Sequence, residues 1–68
     1  METIKLRGEY IKLGQALKAA NLVENGVAAK EYILDGYAKV NGEVCTQRGK
    51  KLYKGDKVSF DGEEIEII

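Results

Sequence analysis

The chain has 68 residues, 44% of them hydrophobic, and its 11 basic side chains balance 11 acidic ones. This length predicts one domain over residues 1–68 with a thin core, since a chain of this size buries only about 60% of its unfolded surface. One cysteine, Cys45, and no histidine exclude an internal disulfide, a thiolate metal cluster and any catalytic constellation built on imidazole. A lone thiol fits a reducing compartment. No apolar run approaches the roughly 20 residues that span a bilayer, and Met1–Lys5 lacks the apolar stretch of a signal peptide. A cytoplasmic protein with no membrane partner is the expectation.

Taken in chain order, Ile4 and Leu6 alternate with Thr3, Lys5 and Arg7, a short strand signal that ends at Gly8. Leu13, Ala16, Leu17 and Ala20 follow at i, i+3, i+4 and i+7, the spacing of one helix face. Gln15 and Lys18 then point away from the core, with Lys12 at the flank. Asn21 is a natural stop because asparagine tolerates the left-handed conformation that ends many helices. Leu22-Val23-Glu24 forms a connector. Asn25 is placed to cap a second helix, whose core stripe is Ala29 and Ile33 with Tyr32 beside it. Glu31 and Asp35 face outward, and Gly36 closes the helix. A connector this short requires the helices to pack on each other as a hairpin.

The rest reads as strands. Ala38-Lys39-Val40 and Val44-Cys45-Thr46 flank Asn41-Gly42, and Lys57-Val58-Ser59-Phe60 and Glu63-Glu64-Ile65-Glu66-Ile67 flank Asp61-Gly62. Asn-Gly and Asp-Gly between extended runs signal two-residue hairpins, because both turn positions need positive φ. Between the hairpins, residues 47–56 form a basic loop with one apolar anchor, Leu52. The predicted fold is α+β: a two-helix hairpin packed on a small, mostly antiparallel sheet. Leu13, Leu17, Ile33, Val40 and Val58 are its expected core.

The chemistry points away from catalysis. Cys45 alternates within a predicted strand and reads as an inert core thiol. Glu64 and Glu66 share a strand face opposite Ile65 and Ile67, the pattern of a solvated amphipathic strand rather than an acid–base pair. Gly36-Tyr37-Ala38-Lys39 lacks the glycine pattern and following helix of a phosphate loop. No cofactor, metal or small-molecule substrate is implied. The charges, though balanced in sum, are unevenly placed. From Lys39 to Lys57 the chain carries Lys39, Arg48, Lys50, Lys51, Lys54 and Lys57 against Glu43 and Asp56, a net +4. The tail carries Asp61, Glu63, Glu64 and Glu66 with no base, a net −4. Such asymmetry makes a local field that the sum conceals. Lys12, Gln15 and Lys18 on the first helix, Lys30 on the second, and Arg48, Lys50 and Lys51 in the basic loop are candidate RNA contacts, since phosphate binding needs movable positive ends. Tyr10, Tyr37 and Tyr53 are candidates for stacking on unpaired bases.

From Ile11 to Phe60 the chain resembles the S-four RNA-binding domain, the family named for the fourth protein of the small ribosomal subunit. The resemblance rests on Lys12-Leu13 followed by Leu17, on Asn21-Leu22-Val23, and on Ala29-Lys30, Ile33-Leu34 and Gly36. It continues through Val40-Asn41-Gly42 and Val44. After twelve residues from Gly42 it closes with Gly55-Asp56 and Val58. The pattern is most similar to short stand-alone bacterial members with an extra strand at each end. It implies a two-helix unit on a small sheet that binds structured RNA, often ribosomal or transfer RNA, through helix residues and the adjoining strand loop. In the family those two regions converge on one face. The family usually opens its first helix with arginine-leucine-aspartate where this chain has Lys12-Leu13-Gly14. It commonly starts its second with serine-arginine where this chain has Asn25-Gly26. The expected function is non-catalytic binding of ribosomal or ribosome-associated RNA, with ribosomal subunits as a further partner. The alternative is a small protein–protein adaptor in such an assembly, using Val23 and Val27 as exposed apolar residues near the helix junction.

Overall fold

The computed structural model describes residues 2–68. The elements run β1 (Glu2–Ile4), β2 (Ile11–Lys12), α1 (Leu13–Ala19), α2 (Gly26–Leu34), β3 (Ala38–Val40), β4 (Glu43–Val44), β5 (Lys51–Leu52), β6 (Lys57–Phe60) and β7 (Glu63–Ile67). Five strands make the main sheet in the order β1-β7-β6-β3-β4, and β2 pairs with β5 in a separate two-stranded ribbon. All pairs are antiparallel except β1 on β7, which is parallel. This is the predicted α+β architecture.

Both hairpins turn as their sequences require. Asn41 and Gly42 take φ of 51° and 88°, and Asp61 and Gly62 take 47° and 85°, the paired positive values of a type I′ turn. Both helices end in the same device. Asn21 (φ 59°) and Gly36 (φ 86°) adopt the left-handed conformation. After α1, the N–H of Asn21 reaches Lys18 O and that of Leu22 reaches Leu17 O; after α2, the N–H of Gly36 reaches Ile33 O and that of Tyr37 reaches Tyr32 O. These are the two bonds of a Schellman motif, which satisfy carbonyls the helix leaves free. At the other end of α2, Asn25 Oδ1 accepts from the N–H of Ala28 at 2.9 Å, the expected cap.

One core joins the layers. Leu13, Ala16 and Leu17 of α1 and Ala29 and Ile33 of α2 pack on Val40, Val58, Phe60, Ile65 and Ile67 of the sheet. The five residues expected in the core are all buried. The sheet's other face carries the polar alternates, with Lys57 opposite Glu66 and Ser59 opposite Glu64.

Four expectations change. Val23 is buried, not exposed: the connector folds inward and lends its one β-branched side chain to the core. The strand expected at Val44-Cys45-Thr46 is Glu43–Val44, and Cys45 is half-buried at its end, its Sγ 3.7 Å from Gln47 O. The N-terminal strand stops at Ile4, while Leu6 holds on through its N–H to Ile68 O. The loop 47–56 contains β5, whose Leu52 is fully buried.

Candidate nucleic-acid interface

The start of α1 is built from two distant pieces of chain. Ile11 pairs with Leu52 and Lys12 with Lys51 across the β2–β5 ribbon. The ladder continues into the helix: the N–H of Leu13 donates to Lys50 O at 2.9 Å and that of Gly14 to Arg48 O at 3.1 Å. The first free N–H groups of α1 are thus already taken by backbone. Side chains are therefore the main means of holding an anion here. Lys12 carries one more tie, its N–H donating to Gln15 Oε1 at 3.2 Å. That uses the acceptor of the Gln15 amide and leaves its N–H donors.

Gly14 decides where Arg48 lies. A Cβ at position 14 would sit 2.8 Å from Arg48 Cγ, closer than real side chains approach. Absence of that carbon lets the arginine stem lie flat against the helix start. The aspartate usual in the resembled family at this position could not accommodate it in this pose.

Lys12, Gln15, Lys18 and Arg48 line one groove of about 300 Å³ together with Gly14, Gly26 and Gly49. Four of the seven candidate residues therefore meet. Lys30 does not line this groove; it is exposed on α2 one helical turn beyond Gly26, on the same side. Lys50 and Lys51 line a second, neighbouring groove of about 590 Å³ with Tyr53, Thr46 and Gln47. The two grooves flank the segment Arg48-Gly49-Lys50-Lys51. All seven candidates are exposed.

The tyrosines divide. Tyr10 and Tyr53 stand beside the ribbon with ring centroids 6.3 Å apart, and Lys51 Nζ lies 4.9 Å from the Tyr10 centroid. Tyr37 belongs elsewhere. Its ring meets Tyr32 edge-on at 5.5 Å, and Tyr32 meets Phe60 at 5.6 Å. That is the apolar contact between the third-last helical position and the second residue past the cap that accompanies a Schellman motif. Tyr37 thus packs at the end of α2 and lines neither groove. Among the described residues, no group of three or more His, Cys, Asp or Glu is placed to hold a metal, and no helix is long and apolar enough to cross a membrane.

A helical hairpin laid on one face of a five-stranded sheet, its first helix entered through a ribbon that carries cations on its outer side, defines a small α+β domain with one cation-lined end. A family model described as S4 domain matches residues 4–68, and the chain belongs to that family. It is 41% identical over 59 residues to "Probable ribosome maturation protein RlbA" of Bacillus subtilis (strain 168), covering 87% of this chain and 83% of that protein. It is 34% identical over 59 residues to "Putative RNA-binding protein YbcJ" of Escherichia coli (strain K12), covering 87% of this chain and 84% of that protein.

Proposed function

We propose that the chain binds structured RNA, ribosomal or transfer RNA, without catalysing a reaction, and that it does so on ribosomal subunits in the cytoplasm as one self-contained domain. The observation that carries this reading is a juxtaposition of like charge. Lys12 and Lys51 stand directly opposite each other in an antiparallel pair, an arrangement of like charges that is destabilising. Arg48 and Lys18 line the same groove as Lys12. Side chains held together at a cost are relieved when a polyanion neutralises them, and release of its counterions drives association.

In this reading Lys12, Lys18 and Arg48 take phosphates along the smaller groove and Lys30 extends the track along α2. Lys50 and Lys51 continue it past the ribbon. Arg48 grips most firmly, since a guanidinium offers two parallel donors where an ammonium is a point charge. The free N–H donors of Gln15 suit a 2′-hydroxyl, which is what distinguishes RNA from DNA. Zero net charge is no obstacle. Fields are screened over about 8 Å at physiological salt, and Glu64 and Glu66 project from the sheet face that the helices do not cover.

The family and the printed names of the relatives support the same reading. With Val23 buried, the adaptor alternative loses half of the surface it needed and retains Val27, which is 67% exposed. Sedimentation of a lysate through a sucrose gradient tests the proposal. The protein should travel with a ribosomal subunit at low salt and be released as salt rises. A protein that remains at the top of the gradient at low salt contradicts it.

A further inference from the structure

The ribbon's outer face holds more than cations. Side chains alternate across a strand, so with Ile11 and Leu52 turned to the core, Tyr10, Lys12, Lys51 and Tyr53 share the opposite face. Tyr10 is 40% and Tyr53 50% exposed, and neither ring joins the hydrophobic core. The two large aromatic rings stand at the surface tilted at 57° to each other, with Lys51 Nζ 4.9 Å from the Tyr10 centroid.

Tyr53 also forms a wall of the larger groove, whose about 590 Å³ lies within the range of roughly 300–1,000 Å³ common to ligand sites. Lys50 and Lys51 line the same groove, as do Thr46, Gln47 and two carboxylate residues, Glu43 and Asp56. The backbone beneath the ring is held firmly. The N–H of Tyr53 donates to Asp56 Oδ2 at 2.7 Å, and Asp56 Oδ1 accepts from Asn41 Nδ2 at 3.1 Å. That carboxylate is committed on both oxygens, so it presents less repulsion to an incoming phosphate than a free one.

An aromatic ring, two lysines and a polar wall match the needs of a single nucleotide. The ring takes the face of a base, the cations take its phosphate, and the hydroxyl and amide meet the base edge. A duplex hides base faces, so only an unpaired nucleotide can use a ring in this way. We propose that this groove is a subsite for one unpaired RNA nucleotide, its base stacked on Tyr53 and its phosphate met by the lysines of the lining, Lys50 and Lys51. The subsite rests on the RNA-binding reading above and adds to it a preference for an unpaired residue beside the duplex.

The test compares two fluorescently labelled probes by anisotropy: a blunt RNA duplex, and the same duplex with one bulged adenosine. The intact chain should bind the bulged probe about tenfold more tightly, within the range a single base–aromatic stack supplies. Tyr53→Ala should remove that preference while leaving affinity for the blunt duplex unchanged, and Tyr53→Phe should keep it. Circular dichroism checks that each variant is folded; should Tyr53→Ala not fold, Tyr53→Leu removes the stacking plane while keeping apolar bulk. Equal affinity for the two probes, or a preference that survives loss of the ring in a folded variant, overturns the subsite and leaves the RNA-binding reading intact. No binding of either probe at low salt overturns both.

Discussion

Asn41 and Asp56, fifteen residues apart in the chain, are joined by a 3.1 Å hydrogen bond from Nδ2 to Oδ1. The same two side chains secure their surroundings: Asn41 Oδ1 accepts from the N–H of Lys57 at 3.0 Å, and Asp56 Oδ2 from that of Tyr53 at 2.7 Å. The turn of the first hairpin is thereby tied to the turn that precedes β6. These are the Val40-Asn41-Gly42 and Gly55-Asp56 segments that carry the family resemblance, and the bond is a physical reason for the two to occur together. Asn41→Ala and Asp56→Ala should each cost about 0.5–1.5 kcal/mol, the net worth of a typical hydrogen bond, since these bonds are exposed and water can replace a lost partner. The double variant should cost less than the two losses added. Urea unfolding of the four proteins measures this, and strictly additive losses would show the bond to be incidental.

Leu17 is fully buried at the centre of the single core. Leu17→Ala should cost about 2–5 kcal/mol through lost transfer energy and the cavity left behind. A domain of this size has only a few kcal/mol to lose, at about 0.05–0.15 kcal/mol per residue. The variant should therefore be largely or wholly unfolded in thermal melts. An unchanged melting temperature would contradict the packing.

Gly42 holds a φ of 88° with nothing within 4 Å of where its Cβ would lie. The objection to a side chain is conformational rather than steric contact. Gly42→Val should cost on the order of 1–2 kcal/mol, the penalty of the left-handed region for a residue with a Cβ, and more for a branched one. Denaturant titration checks the value; a neutral substitution would require another turn geometry.

Much of the fold is legible in the sequence because its signals are local. Asn41-Gly42 and Asp61-Gly62 mark their turns, and Asn21, Asn25 and Gly36 mark helix ends, each through its own backbone preference. The β2–β5 ribbon is not legible. Two residues, Ile11-Lys12, pair with two others, Lys51-Leu52, and a two-residue strand has no period to detect. The parallel pairing of β1 with β7 joins the two ends of the chain and is equally silent. The candidate site is half legible. Exposed cations on α1 and in the loop can be named from pattern, but their meeting depends on that ribbon. Gly14 illustrates the limit: in sequence it is a departure from a family pattern, whereas in the structure it makes room for Arg48. Val23 misleads because an apolar residue in a short connector can turn to either side, and this one turns into the core.

The contact between Gly14 and Arg48 gives a sharper test of the site than deletion of a charge. In Gly14→Ala the new methyl must push the arginine stem off the helix start. Better helix propensity, worth about 1 kcal/mol for glycine to alanine, offsets the disturbance, so stability should change little. RNA affinity should nevertheless fall toward that of Arg48→Ala, and Gly14→Ala combined with Arg48→Ala should weaken binding no further than Arg48→Ala alone. Additive losses would mean that position 14 acts independently of the arginine.

Cys45 lines the larger groove and is half-buried, with its Sγ facing the Gln47 carbonyl. It packs against the edge of the core. Cys45→Ser should leave RNA affinity within about twofold, since the exchange is nearly isosteric and changes no charge on the cation track. A large loss of binding in a folded variant would assign the thiol a direct part in recognition.

The most direct measurement is filter binding on ribosomal RNA fragments across a salt series, with Arg48→Ala, Lys50→Ala and Lys51→Ala set against Glu64→Ala. If the α1 face and the segment 48–51 grip phosphates, each cation variant should weaken binding and flatten the salt dependence by roughly one unit of log–log slope. Arg48→Ala should lose the most, and Glu64→Ala, on the far face of the sheet, should lose nothing. Equal effects from the cation variants and from Glu64→Ala, or no binding by the intact chain at low salt, would contradict the account.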